Sequence, residues 1–478
     1  MKARGSRALL AEARRHLLRF GAVLALTVVS TLLYAGTAWA ETFTVTNTSG
    51  TGTGSLREAI NKANSTAGAD EIVFADGVSG TITLASTLPT IMDSAGLVID
   101  GGGDVTVSGN HAVRVFKVGS EAKLTLRNLT IADGEVRGTN FVEGGSGIYN
   151  EGTLALTNST IAGGEVRGRD FVFGGSIYSA GTLTLTNSTI ADGELRGRDE
   201  VYGGGVYNEF GATVKAKNST VSGNKVSAQG SGLGGGGIYN EFEAKLEVTN
   251  STISGNKVWN RSPVGCCWGA GGGIYNSFDA TAKVVNSTIS GNSADKAGGG
   301  ILNEGKLTLT NGTISGNGGV PFFGSGVYNG WDGTATLRNT IVANSTLGPN
   351  CYGSIIDGGY NIEDADTCRF KRATGSLPKT DPLLDPAGLS DNGGPTQTIA
   401  LQPDSPAVDL VGQSACPPPQ TDQRGVMRPQ GETCDSGAFE LVQEPQSKAD
   451  CKKGGYKEFG FKSQGKCIAF VNRTARNQ

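Results

Sequence analysis

Tyrosine recurs at one position of a repeated phrase in the middle of the chain. The phrase reads GSGIYN at 145–150 and GGGIYN at 235–240, and in a strand the residue before the tyrosine would point inward. Because successive side chains of a strand point to opposite faces, the tyrosines are expected to form one outward aromatic stripe. Cross-strand packing is the ordinary explanation of such a stripe, and a platform for an extended glycan is the functional one. The stripe consists of Tyr149, Tyr178, Tyr207, Tyr239, Tyr275 and Tyr328, with Leu302 in the place of one tyrosine.

Charged residues also recur, in the segments that precede the tyrosine phrase. An exposed lattice of opposite charges is the ordinary interpretation, and surface pairs of this kind stabilise little. A row of arginines that faces acidic sugars is the alternative. The two columns are Glu135, Glu165 and Glu194, and Arg137, Arg167 and Arg196.

Catalytic chemistry has few candidate carriers. Glutamates on adjacent units would lie roughly 5 Å apart, as in retaining glycosidases, but any charged repeat produces that spacing. Beyond residue 40 the sequence has one histidine, His111, no Asp-x-Asp-x-Asp-Gly calcium loop and no His/Cys metal spacing. We therefore assign no catalytic residue, no metal and no cofactor, and whether the protein is an enzyme stays open.

The composition indicates a turn-rich all-β protein. The 478 residues include 75 glycines, whereas only 18% are charged and 7% aromatic. The glycines have no triplet period and fall between short alternating runs of Leu, Val, Ile and Thr, which excludes a collagen-like chain.

A second phrase shows how these columns arise. Eight variants of LTLTNSTI (183–190) recur between residues 124 and 344, at spacings of 25 to 36 residues. Each strand is too short to bury itself, so the units must stack and share one core. The sequence therefore predicts an all-β, single-stranded, right-handed parallel β-helix, with a rod of roughly 40 Å in this region.

The asparagine of this phrase marks a bend between two strands. Leu183 and Leu185 alternate inward, the alternation breaks at Asn187, and Ile190 restores the apolar face. Asparagines on every turn can form a hydrogen-bonded ladder, which explains the Asn-x-Ser/Thr triplets better than glycosylation does.

The start of the chain resembles an export signal. Residues 1–40 contain Arg14, Arg15 and Arg19, an apolar run at 20–34 and a small-residue site before Glu41. We expect cleavage after Ala40, no transmembrane span afterwards, and a secreted or cell-surface monomer. Cleavage would change the formal charge from −3 to −8, and an acidic chain argues against nucleic-acid binding.

The N-terminal end of the coil has a helix signal. Ser55 and Glu58 form a capping box, and Leu56, Ile60 and Ala63 share one face. We expect a short helix to cover the first open turn, so that residues 41–120 form the cap and the first turns.

All eight cysteines lie at or after Cys266. In an exported chain, spaced cysteines favour disulfides. Cys266 and Cys267 are adjacent, so a vicinal bridge, free thiols and intermolecular pairing all stay open. The expected bridges join Cys351 with Cys368, Cys416 with Cys434, and Cys451 with Cys467.

Three segments resemble known bacterial families. GSLREAINKAN (54–64) resembles the CSLREA motif of secreted β-helix proteins, with Gly54 in place of the usual cysteine. The GGGIYN and NSTISGN phrases resemble the repeats of chlamydial polymorphic outer membrane proteins. The segments 391–409, 421–429 and 434–440 are similar to the choice-of-anchor Q domain. The resemblance implies a surface-exposed or secreted parallel β-helix, followed by an anchoring region, and implies no established catalytic residues.

Together these patterns predict β-helix repeats at 121–370, a choice-of-anchor Q-like region at 371–442 and a small basic, cysteine-paired tail at 443–478. The leading hypothesis is a non-catalytic, adhesin-like protein that binds an extracellular glycan or a cell-surface polymer. A polysaccharide lyase or glycoside hydrolase acting on an extended, possibly acidic polysaccharide is the first alternative. A structural envelope spacer is the second.

Overall fold

The computed structural model describes residues 40–230, 232–260, 268–416, 420–442, 447–449, 451–457 and 463–474. The predicted signal segment therefore lies outside the described residues, apart from Ala40. Cys266 and Cys267 also lie outside them, and the three expected alternatives for this pair stay open.

The chain forms the predicted parallel β-helix. Each strand pairs in parallel with its equivalent one turn later, so that Leu154 lies beside Leu183 and Tyr178 lies beside Tyr207. The register follows the repeated phrases without a slip, because a one-residue shift would turn every apolar side chain out of the core.

Three strands of each turn enclose the main core. The first contains the tyrosine phrase, and the second and third belong to one sheet that bends between them. The first strands are Phe116–Val118, Ile148–Asn150, Ile177–Ser179, Val206–Asn208, Ile238–Asn240, Ile274–Asn276, Ile301–Asn303, Val327–Asn329 and Cys351–Tyr352. The second strands are Thr42–Val45, Asp70–Phe74, Thr153–Thr157, Thr182–Thr186, Thr213–Lys217, Lys245–Thr249, Thr281–Val285, Lys306–Thr310, Thr334–Arg338 and Ile355–Asp357. The third strands are Gly80–Thr83, Thr160–Ala162, Thr189–Ala191, Thr220–Ser222, Thr252–Ser254, Thr288–Ser290, Thr313–Ser315, Ile341–Ala343 and Ile362–Glu363, while Leu97–Ser108 and Lys123–Ala132 run through both sets.

Aliphatic side chains from all three strands fill the interior. On one turn Ile148, Leu154, Leu156 and Ile161 are fully buried, and the same positions are buried on every turn from 124 to 342. Burial of each such side chain contributes about 1.5–3 kcal/mol, so the shared core supplies the stability that a single turn lacks.

The bend between the second and third strands is the predicted asparagine column. Asn158, Asn187 and Asn311 adopt left-handed backbone angles with φ of 49°, 49° and 53°, which asparagine tolerates better than most residues. The Nδ2 of Asn158 donates to Oδ1 of Asn128 at 3.2 Å, and Asn311 donates to Asn286 at 2.9 Å. The predicted ladder is thus present at these turns.

A second, buried ladder follows the tyrosines. Asn208 donates to Asn240 at 2.6 Å, Asn240 to Asn276 at 2.8 Å, and Asn276 to Asn303 at 2.7 Å. Sequence reasoning did not identify this ladder, although the asparagine after each tyrosine was visible.

Two further sets of strands project from the coil on part of its turns. Those between residues 134 and 202 are the charged segments that sequence reasoning treated as insertions, and a separate apolar cluster that includes Val142, Val172 and Leu195 lies between the two sets. The fourth strands are Glu135–Arg137, Glu165–Arg167, Glu194–Arg196, Lys225–Ala228, Lys257–Asn260 and Ser293–Ala294. The fifth strands are Phe141–Glu143, Phe171–Phe173, Glu200–Tyr202, Gly232–Gly234 and Trp268–Ala270.

The predicted helix covers the first turn. It spans Leu56–Ala63, the side chain of Ser55 accepts from the Glu58 backbone N–H, and Glu58 Oε2 accepts from Gly54 N at 2.6 Å. Leu56, Ile60 and Ala63 are buried against the coil. The Ser55 cap and the apolar face predicted from the sequence are confirmed, whereas Glu58 accepts from Gly54 and not from Ser55, whose N–H donates to Gly52 O at 3.3 Å.

Beyond the last turn the chain folds back along the bend. Leu384–Ser390 and Thr398–Leu401 form an antiparallel pair, and a 3₁₀ turn spans Arg372–Thr374. The Gln423 amide donates to Thr252 Oγ1 at 2.9 Å and accepts from Thr288 Oγ1 at 2.7 Å. The segment up to residue 442 therefore lies against the side of the coil.

Three disulfides join the pairs expected from the sequence. Their Cα atoms lie 4.8 Å apart for Cys351 and Cys368, 5.5 Å for Cys416 and Cys434, and 5.7 Å for Cys451 and Cys467. The tail also contains the 3₁₀ turn Gly455–Lys457 and the helix Gln464–Thr474.

Candidate functional site

The tyrosines form the predicted column. Ring centroids lie 5.0 Å apart for Tyr149 and Tyr178, 5.2 Å for Tyr178 and Tyr207, and 5.4 Å for Tyr207 and Tyr239. The planes within each pair differ by 17° or less. The rings therefore stack along the coil axis, as the register of the first strands requires.

Four of these rings are buried, in contrast to the exposed stripe expected from the sequence. Tyr149, Tyr178, Tyr207 and Tyr239 are each at most 7% exposed. Aromatic side chains of the fifth strands cover them. Phe173 lies 5.2 Å from Tyr207, and Tyr202 lies 4.5 Å from Tyr239. Sequence reasoning placed the insertions beside the stripe, whereas they fold over it, so these four rings cannot serve as an open platform.

Carboxylates accept hydrogen bonds from the tyrosine hydroxyls. Tyr149 donates to Glu143 at 2.8 Å, Tyr275 donates to Glu304 at 2.7 Å, and Tyr207 donates to Glu241. Burial raises the pKa of each of these tyrosines far above its ordinary value, so the hydroxyls keep their protons and act as donors.

Negative charge accumulates along this face. Burial raises the pKa of Glu209, the hydrogen bond from Tyr178 opposes that shift, and the charges of Glu143 and Glu241 raise the pKa further. The carboxylates therefore influence one another along this face, while Arg114 and Lys117 lie over the Tyr149 ring at its first turn, 4.8 and 4.9 Å from the centroid.

The predicted charge columns are also in register. Glu135, Glu165 and Glu194 lie side by side on the fourth strands, and so do the arginines two residues later. Each arginine pairs with the glutamate of its own strand. The shortest N–O distances are 2.6 Å for Arg137 with Glu135, 2.5 Å for Arg167 with Glu165, and 2.6 Å for Arg196 with Glu194. Binding of acidic sugars by these arginines stays a prediction, and the ion pairs do not favour it.

Near one turn, smaller side chains replace the aromatic residues that form and cover the tyrosine column elsewhere. Leu302 lies between Tyr275 and Tyr328 in the first strands, so one ring of the column is missing. On the fifth strands, the position of Tyr202 is occupied by Gly234 and then by Ala270. The covering rings therefore end where the column itself is interrupted.

A cavity of about 380 Å³ results from these two changes. Leu302, Leu233, Ala270 and Ala297 supply apolar surface, and Glu200, Glu304 and Lys296 supply charge. Four aromatic residues complete the lining, namely Tyr202, Tyr275, Phe323 and Tyr328. A concave, mostly apolar site with a few polar groups is the usual form of a small-ligand pocket.

A separate aromatic row is open to solvent beside this cavity. Phe210 lies 5.8 Å from Phe242, and Phe242 lies 6.0 Å from Phe278. Phe210 is 58% exposed, Phe278 is 46% exposed and Trp331 is 98% exposed. Each of these residues follows a tyrosine of the column by three positions, in the sequences YNEF, YNSF and YNGW. That spacing was the signal that sequence reasoning missed.

A second cavity of about 380 Å³ separates Phe278 from Trp331. Glu304 and Tyr328 line this cavity as well as the first one. The two cavities therefore meet at the turn of Leu302, where both aromatic columns lack a ring. We call this place the open turn.

The remaining candidates lie outside the open turn. His111 is exposed, with its Nε2 atom 3.8 Å from Asp133 Oδ1. Within the described ranges, no cluster of three or more His, Cys, Asp or Glu residues could hold a metal ion.

Among the described residues, no helix combines the length and the apolar character that a membrane crossing needs. Comparison of the chain with protein-family models, with curated proteins and with solved structures finds no match.

Proposed function

We propose that the protein is a non-catalytic, exported or cell-surface β-helix that binds an extended glycan or cell-surface polymer along its aromatic face. The observation that supports this proposal is the row of Phe210, Phe242, Phe278 and Trp331. These rings lie on one face of a repeating rod, and three of them are strongly exposed.

Exposed aromatic rings on a regular surface favour a ligand with apolar faces. A monomeric protein seldom leaves contiguous large apolar side chains in water, and such patches commonly mark interaction sites. A sugar ring presents C–H groups on one face and hydroxyls at its edge, so it can pack on an aromatic ring while carboxylates accept from its hydroxyls. The neighbouring Glu209, Glu241 and Glu304 provide such acceptors.

The repeat of the site suits a linear polymer. Successive turns lie about 4.8 Å apart, so equivalent side chains recur along the rod at short, regular intervals. A chain-like ligand can contact several turns at once, and linked contacts raise the overall affinity beyond that of any single contact.

Export is supported by two independent features. Residues 1–40 have the charged, apolar and small-residue segments of a secretory signal. Three disulfides join cysteines in the described C-terminal part, and disulfides persist mainly in oxidising compartments.

A glycan array tests the proposal directly. We expect the wild type to bind polysaccharides, and the double variant Phe278→Ala/Trp331→Ala to bind them about tenfold more weakly or worse, as for aromatic anchors elsewhere. Phe141→Ala is the matched control, because Phe141 is 62% exposed but lies on a fifth strand near the other end of the rod.

Equal binding by the wild type and the double variant would reject the aromatic row as the binding surface. Absence of binding to every glycan on the array would reject glycan binding itself. Release of reducing ends or of unsaturated uronides from any polysaccharide would contradict the non-catalytic assignment.

A further inference from the structure

The cavity lined by Leu302 lies where the column has a leucine in place of a tyrosine ring. Tyr275 and Tyr328 are two turns apart, about 10 Å along the rod, with Leu302 between them. Elsewhere in the column the adjacent centroids are 4.9–5.4 Å apart. Leu302 is 4% exposed and packs against Tyr275, Phe323 and Tyr328, so the cavity lies over a leucine that is smaller than the tyrosine of the other turns.

Of the two flanking tyrosines, Tyr275 departs from the stacked geometry of the column, whereas Tyr328 keeps that geometry on the side away from Leu302. The plane of Tyr275 makes an angle of 67° with that of Tyr239, whereas Tyr328 stacks on Tyr352 within 4°. Tyr328 thus has one face on Tyr352, and its other face lies toward the turn of Leu302. The position of Tyr275 also depends on Gly234, where an added Cβ atom would lie 2.2 Å from Tyr275 Cδ1.

The charges around the gap favour a cation over an anion. Glu200 and Glu304 line the cavity together with the single ammonium group of Lys296. Glu304 accepts one hydrogen bond from Tyr275, and an ionised carboxylate can accept several more. Asp332 lines the adjoining cavity. An acidic sugar would meet repulsion here, while an ammonium group would gain both carboxylate contacts and attraction to the aromatic faces.

We propose that the cavity between Tyr275 and Tyr328 is a subsite for one sugar ring that carries a free amino group. The ring lies over Leu302 and against Tyr275 and Tyr328, and the ammonium group is held by Glu304 and Glu200. This inference rests on the proposed glycan-binding function and narrows its ligand to a polymer that contains amino sugars.

Filling the gap tests the subsite. Leu302→Tyr restores the side chain that seven other turns carry at this position, so we expect the variant to melt at or above the wild-type temperature. We expect its affinity for a glucosamine tetramer, measured by calorimetry, to fall about tenfold or more. Leu302→Met is the matched control, because methionine has a similar volume and leaves the gap, and its affinity should stay within about threefold of the wild type.

Removing one charge tests the amino group. We expect the wild type to bind the glucosamine tetramer about tenfold more tightly than its N-acetylated counterpart, and to bind a galacturonate tetramer weakest of the three. Glu304→Gln keeps an acceptor for the Tyr275 hydroxyl but removes the negative charge. The preference for the free amine should therefore fall toward equality in this variant.

Different outcomes separate this inference from the proposed function. Undiminished binding by Leu302→Tyr, or equal binding of the aminated and acetylated tetramers by the wild type, would overturn the amino-sugar subsite. If the Phe278→Ala/Trp331→Ala variant still lost glycan binding in that case, the proposed function would stand. If the wild type bound none of the tetramers and no glycan on the array, both would fall.

Discussion

Two sides of the rod are built from repeated columns of side chains but are covered at different turns. The bend flank carries the threonines of the third strands, and the aromatic flank carries the tyrosine column. On the bend flank, Thr160, Thr189 and Thr220 are only partly buried, whereas their equivalents Thr252 and Thr288 are fully buried. On the aromatic flank the order is reversed, because the first four tyrosines of the column are buried, whereas Tyr275 and Tyr328, on either side of Leu302, are only partly buried.

The cover comes from a different part of the chain on each flank. The returning C-terminal segment lies on the later turns of the bend flank, where Ala438 N donates to Thr313 Oγ1 at 3.0 Å. The fifth strands lie on the earlier turns of the aromatic flank, where Tyr202 packs on Tyr239. A repeat thus supplies columns on every turn, while segments outside the repeat decide which part of each column meets solvent.

The largest effect on the free energy of unfolding is expected from removing Arg428, and Arg167 provides the comparison. Arg428 is buried in the C-terminal segment and donates to Glu440 at 2.8 Å, whereas Arg167 pairs with Glu165 near the surface. Arg428→Ala should lower the free energy of unfolding by about 3–5 kcal/mol, because it leaves a buried carboxylate without its countercharge.

Arg167→Ala is the control, and it should change the free energy of unfolding by less than about 1 kcal/mol, because water replaces an exposed ion pair. Urea denaturation of both variants measures the difference. Similar losses of unfolding free energy in the two variants would mean that Arg428 is no better shielded from water than Arg167.

An intermediate effect on the free energy of unfolding is expected from truncating either of two adjacent residues, Ile301 and Leu302, in the first strand of the open turn. Ile301 points into the main core, and Leu302 points into the aromatic cavity. Ile301→Ala should lower the free energy of unfolding by about 2–5 kcal/mol, as for other core truncations. Leu302→Ala should lower it by about 1–2 kcal/mol, because its side chain already borders empty space. Equal losses in thermal or urea denaturation would contradict an open cavity beside Leu302.

The last effect is a pH dependence of the covered flank, which is small over a single pH unit and accumulates across the window. Burial and the charge of Glu440 raise the pKa of Asp435 from 3.8 to about 7, while Arg428 opposes the shift. Between about pH 4 and pH 7 the folded protein therefore holds a proton that the unfolded chain has lost.

Stability should accordingly fall as the pH rises through this window, by at most about 1.4 kcal/mol per pH unit, and Asp435 should add no further slope above pH 7. Melting temperatures measured from pH 4.5 to 7.5 check this. Asp435→Asn should flatten the dependence, and an unchanged slope in that variant would assign it to other groups.

Local patterns were sufficient for the coil itself. The alternation of Leu183 and Leu185 and its break at Asn187 predict two strands and a bend, and the spacing of the copies predicts their stacking. The capping box at Ser55 predicts the terminal helix. Each of these features depends on residues close in sequence, or on the identity of the repeat, and both can be recognised without coordinates.

The candidate site was predicted only in part. The tyrosine column and its register followed from the repeated phrase, and the gap at Leu302 was visible in it. The burial of Tyr239 was not visible, because it depends on Tyr202, which belongs to a short projecting strand of the preceding turn. The exposed row of Phe210, Phe242 and Phe278 was missed, because its exposure depends on the packing around it and the spacing alone does not show it.

The sequence by itself determined which residues stack into columns, because a parallel coil with one strand per sheet in each turn has a single register that keeps its aliphatic residues inside. Only the tertiary structure decided which columns are covered. Gln423 reaches Thr252 across 171 residues, and no periodic pattern specifies such a contact. Exposure is a property of what packs on a surface from elsewhere in the chain, and the open turn exists because that packing ends beside Leu302.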